Sequence, residues 1–135
     1  MGVIICTTLA ECLERIEKEL NDLERQAEII AGTLEGLDEK EAMFEEFVKA
    51  FGGTGGRAFY EGKINSFEVY IQPHPSLLKE ELSKKAKEIS DLIEKYRGLK
   101  ELTSKIVEVL GGLDAEAVVS VSPEAAKIFI NIKWG

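Results

Sequence analysis

From Leu9 onward the apolar residues fall at Leu9, Leu13, Ile16, Leu20, Leu23, Ala27, Ile30, Leu34 and Leu37. The steps alternate between four and three, which is the heptad seam of a long amphipathic helix. Thr8 followed by Glu11 makes a capping box at its start, and Gly36 is its expected end. About 28 residues of helix would run roughly 42 Å. Asp38 and Glu41 repeat the capping pattern, and Met43, Phe44, Phe47, Val48 and Phe51 line one face of a shorter helix. The run Gly52-Gly53-Thr54-Gly55-Gly56 stops that helix.

The period then changes from helical to alternating. Arg57 to Glu61 is one expected strand. Ser66 to Gln72 is another, with Phe67, Val69 and Ile71 alternating against Glu68, Tyr70 and Gln72. Gly62 to Asn65 is the expected hairpin turn. Pro73-His74-Pro75 breaks the chain, and a second long helix follows from about Ser76 to Arg97, with Leu78, Leu82, Ala86, Ile89, Ile93 and Tyr96 on its inner face. Gly98 permits a kink, after which a shorter helix carries Leu99, Leu102, Ile106 and Val109 to the stop at Gly111-Gly112. Ala115 to Ser122 and Ala126 to Lys133 form a last hairpin turning at Pro123-Glu124.

The order of long helix, short helix, glycine pair and hairpin thus occurs twice. A shift of 59 residues aligns Asn21 to Gln72 with the second half without a gap, placing Gly52-Gly53 on Gly111-Gly112, Val48 on Val107, Ala58 on Ala117 and Ile71 on Ile130. This points to an internal duplication, with repeats at approximately 8–73 and 76–134. The expected fold is α+β in a single domain, 1–135: two ααββ repeats, with long amphipathic helices packed on an antiparallel four-stranded sheet. Gly2 to Cys6 stays open between two readings. As a strand it makes the order β-α-β-β-α-β-β, ferredoxin-like with one strand added; otherwise it extends the first helix.

Charge narrows the partners. The chain of 135 residues has 25 acidic and 17 basic groups, a net −8. Residues 1–67 hold 14 acids and 7 bases, a balance of −7, and residues 68–135 hold 11 and 10, a balance of −1. Such a surface repels phosphate backbones, so nucleic acid is not an expected partner, whereas a basic protein is compatible with the acidic half. No apolar stretch approaches the roughly 18 residues that a membrane span needs, and Met1 to Ala10 lacks the basic region of a signal peptide. A cytoplasmic protein is expected.

Few residues suggest chemistry. Gly53, Thr54, Gly55, Gly56 and Arg57 form the one loop suited to holding a phosphate or small anion, through backbone N–H groups, the Thr54 hydroxyl and the Arg57 fork. However, it leaves a helix C-terminus, where the dipole is unfavourable to anions. His74 is the only histidine and no C-x-x-C occurs, so neither a metal site nor a cofactor is expected. Cys6 and Cys12, if on one helix, lie about 9 Å apart along its axis, beyond disulfide reach; they read as free thiols. Cys6 and His74 are the only thiol–imidazole pair available. Adjacent glutamates such as Glu45-Glu46 and Glu80-Glu81 diverge on a helix and do not converge on a substrate. No catalytic constellation emerges.

Strand phase gives the strongest functional lead. If Val69, Ile71, Ile128, Ile130 and Ile132 face the helices, then Phe59, Tyr70, Val118 and Phe129 share the opposite sheet face. Large apolar groups on one outer face call for a cover. Aromatic faces also bind single-stranded RNA, but only Arg57, Lys63, Lys127 and Lys133 lie near, too few for that role. The helix seam is a second contact surface. Glu17, Glu19 and Glu24 flank it, which disfavours a parallel homodimer, while Lys79, Lys84, Lys85, Lys87 and Lys95 of the second long helix suit an antiparallel helix pair. The expected function is therefore a self-associating, non-enzymatic interaction or structural module, a dimer; the alternative is a ligand-binding protein, or an enzyme, using the Gly52–Arg57 loop. Glu and Lys supply most of the charge, with two Gln and three Asn, the bias of hyperthermophile proteins. Differential scanning calorimetry should then place the melting midpoint above the roughly 45–65 °C of mesophile domains; a midpoint near 50 °C contradicts a thermophilic origin.

Overall fold

The computed structural model describes residues 2–52, 60–71 and 75–134. It is an α+β protein with the order β1 (Gly2–Cys6), α1 (Leu9–Phe51), β2 (Tyr60–Ile64), β3 (Phe67–Ile71), α2 (Pro75–Leu110), β4 (Ala115–Val121) and β5 (Ala126–Ile132). Gly2 to Cys6 is thus a strand. The chain divides into two compact units, one of residues 1–27 with 87–135 and one of residues 28–86.

Each expected pair of helices is a single helix. Gly36 and Gly98 lie inside α1 and α2, where a glycine costs about 1 kcal/mol against alanine and packing on either side outweighs it. Asp38 does not cap a new helix; its carboxylate meets Lys79 Nζ at 2.6 Å, with Glu41 at 3.5 Å from the same ammonium. Those carboxylates raise the Lys79 pKa, Asp38 through its hydrogen bond first. α1 starts after Thr8 as the sequence indicates, with the Glu11 carboxylate reaching back one residue further, to Thr7. The Glu11 N–H donates to Thr8 Oγ1 at 3.1 Å, and the Thr7 hydroxyl and N–H donate to Glu11 Oε2 at 2.7 and 3.0 Å. These bonds hold the Glu11 carboxyl below the usual range. Gly52 closes α1 at a φ of 71°, its N–H donating to Val48 O at 2.7 Å, the left-handed cap that glycine adopts without strain.

The first unit holds most of the core. Leu9, Cys12, Ile16, Leu20 and Leu23 of α1 are buried with Ile89, Tyr96 and Leu99 of α2, so the heptad seam is inward here. Arg97 reaches Glu24 at 3.3 Å, and in the second unit Lys79 meets Asp38 and Glu41; of the lysines expected to serve an antiparallel helix contact within or between chains, Lys79 is the one these pairs include. Beyond Gly98 the inner face differs from expectation. Thr103 is fully buried while Leu102 and Val109 are exposed, because the four–three rhythm continues from Leu99 to Thr103 and Ile106 and does not bend to follow the apolar residues.

The strands fall in two sheets, in place of the single four-stranded one expected. One has the order β1-β4-β5 and the other is the β2–β3 hairpin; all pairs are antiparallel. β1 pairs directly with β4, so the ferredoxin-like element order does not produce a ferredoxin-like sheet. The hairpins also turn differently. β2 and β3 join through Asn65 and Ser66, with φ of 51° and 68°, the two-residue turn with both φ positive. β4 and β5 join through a longer turn closed by Ser122 N–H donating to Ala125 O at 2.8 Å. A gap-free shift that sets β3 on β5 therefore carries the end of β2 into the second turn.

Cys6 and Cys12 are bonded, with Cα atoms 5.4 Å apart. The expectation of free thiols assumed one shared helix; instead Cys6 ends a strand and Cys12 sits in the first turn of α1, and the chain folds back between them. The bond also removes Cys6 from any thiol–imidazole pair. Thr103 supplies a test of this core. Its Oγ1 is buried without a hydrogen-bond partner among the described residues, and an orphaned hydroxyl costs about 1–3 kcal/mol. Thr103→Val should raise unfolding stability by about 1 kcal/mol in urea titration, with an unchanged slope; a loss of stability would show that the hydroxyl is satisfied.

Candidate functional site

β4 determines which residues reach the surface. In Ala-Glu-Ala-Val-Val-Ser-Val the odd positions Ala115, Ala117, Val119 and Val121 are buried and the even ones exposed. A pleated strand sends alternate side chains to opposite faces, and register extends this to its neighbours. Ile5 pairs with Val118 and Val118 with Phe129. Those three residues form a row straight across the sheet, and Val3 lies beside it on β1. Val3 is 67% exposed, Ile5 68%, Phe129 63% and Val118 37%.

The rim of this face is polar. Ser120 and Lys127 form the next row toward the β4–β5 turn, and Glu116 and Asn131 the row on the other side. Lys133 meets Glu116 at 3.0 Å, and that bond, with Asp114 nearby, raises the Lys133 pKa. Counting Val3, Ile5, Asp114, Glu116, Val118, Ser120, Lys127, Phe129, Asn131 and Lys133 as the outward positions, the face carries two acids and two bases, net zero, on a chain of net −8.

The residues expected on one aromatic face are separated. Val118 and Phe129 are direct register partners. Tyr70 stands on β3 in the other sheet, 60% exposed, its hydroxyl donating to Glu68 Oε2 at 3.2 Å. Phe59 lies outside the described residues, as do Gly53, Thr54, Gly55, Gly56, Arg57 and His74. Val3 and Ile5 were not anticipated as members of the face. Their signal was present in Gly-Val-Ile-Ile-Cys, but two adjacent isoleucines do not state which one is outward until the pairing with β4 is known.

A concavity of about 330 Å³ lies in the first unit, lined by Gly2, Val3, Ile4, Glu19, Leu23, Leu92 and Tyr96. A Cβ on Gly2 would come within 3.0 Å of Tyr96 Oη, so the strand approaches the ring closely there. Burial, and secondarily Glu19, raises the Tyr96 pKa, which leaves a neutral phenol at physiological pH. One phenol and one carboxylate do not make a nucleophile–base pair. Among the described residues no group of three or more His, Cys, Asp or Glu is arranged to hold a metal ion, and no helix is long and apolar enough to cross a membrane. No family model, curated protein or solved structure matches the chain.

Proposed function

We propose that this chain is a self-associating, non-enzymatic interaction module in which two copies meet at the β1-β4-β5 sheet. The observation that carries this reading is the exposed apolar row Ile5–Val118–Phe129, with Val3 beside it. An apolar centre ringed by polar groups is the anatomy of a protein interface. Charge favours a second copy as the occupant. Two chains of net −8 repel, and this face, with no net charge, is where that repulsion is least.

The disulfide is compatible with a cytoplasmic location in a thermophile. Disulfides persist in oxidising compartments and also inside hyperthermophiles, and the Glu- and Lys-rich composition agrees with the second setting. The two helix–hairpin halves are read as a duplication in which only the second hairpin gained a third strand from the N-terminus.

Light scattering behind a sizing column tests the reading. The mass should be twice the 15.0 kDa of one chain and should persist at high salt, because apolar contacts are not screened. Burying a phenyl ring contributes about 1.5–3 kcal/mol, so Phe129→Ser should weaken the dimer at least about tenfold without unfolding a side chain that is already exposed. A 15.0 kDa wild-type mass overturns the reading. If an anion-dependent thermal shift, lost in Arg57→Ala, accompanies that mass, the function lies in ligand binding by the glycine loop.

A further inference from the structure

The two edges of the β1-β4-β5 sheet are not alike. Lys133 N–H donates to Asp114 O at 2.8 Å, and Ser122 N–H to Ala125 O at 2.8 Å. Antiparallel ladders alternate hydrogen-bonded with non-hydrogen-bonded pairs. These two bonds fix the phase. Glu116–Asn131, Val118–Phe129 and Ser120–Lys127 are the hydrogen-bonded pairs, and the backbone groups of Ala126, Ile128, Ile130 and Ile132 point away from β4. No described residue pairs with that edge. On the opposite edge, β1, the Ile5 carbonyl accepts from Arg15 Nη1 at 2.5 Å, which obstructs strand addition there. The β5 edge has no proline and no bulge within its seven residues, although edges left open in this way are templates for another strand.

We propose that two copies join by pairing β5 with β5 antiparallel about a two-fold axis at Phe129, making one continuous six-stranded sheet. This rests on the self-association reading above and puts its contact at the sheet edge: the two Phe129 rings pack against each other, while Ile5 and Val118 of both copies stay on the outer face. The register places Ile128 opposite Ile130 of the second copy, Ala126 opposite Ile132, and Lys127 opposite Asn131, with the two Phe129 rings side by side. All seven residues of each β5 then pair. Moving the axis by one residue, so that strands slip by two, costs pairs at the ends. In one direction it sets Lys127 against Lys133, a like-charge opposition; in the other it sets Lys127 against Phe129. Only the centred register continues the Ile5–Val118–Phe129 row into the second copy.

Cysteine cross-linking tests the geometry, because both native cysteines are bonded and an introduced one is the sole free thiol. In the centred register the two residues at 129 form a non-hydrogen-bonded pair with Cα atoms about 4.5 Å apart, within disulfide reach. The two residues at 118 are three strand spacings apart, about 14 Å. Phe129→Cys under mild oxidation should run as a dimer on a non-reducing gel, and Val118→Cys as a monomer. A mixture of Lys127→Cys and Asn131→Cys chains, which keeps the Phe129 ring, should cross-link between the two variants. A dimeric mass with cross-linking at 118 and not at 129 or 127–131 overturns edge pairing and leaves self-association standing, through stacking of the faces. A dimeric mass with no cross-link at any of these positions also overturns edge pairing. A monomeric wild-type mass overturns both.

Discussion

β4 is the constraint on which the surface of this protein depends. Among the described residues it is the one strand that pairs on both sides, and its alternation is complete, from Ala115 to Val121. Val119 and Val121 are 0% and 2% exposed, and burying each contributes about 1.5–3 kcal/mol. Sliding β4 by one residue would send both to solvent and draw Glu116 and Ser120 inward. The register is therefore fixed by burial. Once it is fixed, the other face of the sheet follows: Val118 must be outward, and its cross-strand partners Ile5 and Phe129 with it. The apolar row is a consequence of the same pleat that makes the core.

The N-terminal strand depends on a second, covalent constraint. β1 has five residues and, among the described strands, pairs only with β4. Cys6, at its end, is tied to Cys12 in the first turn of α1, and the Thr7, Thr8 and Glu11 bonds organise the turn between them. The bond closes a short loop, so its contribution through the unfolded chain is only about 2 kcal/mol. Its larger effect is positional. It holds the strand that carries Val3 and Ile5, and with Arg15 on the Ile5 carbonyl it makes this edge closed while the β5 edge stays open.

Local pattern made much of the fold legible. The seam from Leu9 to Leu37 and the alternation of β4 and β5 are single-element signals, and the structure contains both. What was missed required knowledge of neighbours. Gly36 and Gly98 have the composition of helix ends, but a glycine ends a helix only when nothing beyond it packs. Leu102 is the more apolar residue, but the helical period turns Thr103 inward. Gly62 is the more conspicuous turn residue, but the turn lies at Asn65-Ser66. The cysteine bond depended on whether residues 2–6 were strand or helix, which five residues do not decide alone. The same ambiguity hid Val3 and Ile5 from the outer face, although Val118 and Phe129 were read correctly from strand phase. Tyr70 shares their alternation but belongs to another sheet, a fact of pairing that alternation does not encode.

Amide hydrogen exchange across a range of protein concentrations tests the account most directly. The N–H groups of Ile128 and Ile130 face the open edge of β5 in one chain and become ladder bonds in the paired sheet. Their exchange should slow as the mass doubles, while the Val3 N–H on the β1 edge remains fast at every concentration. If Ile128 and Ile130 exchange equally fast throughout that range, the open edge is not where two copies of this protein meet.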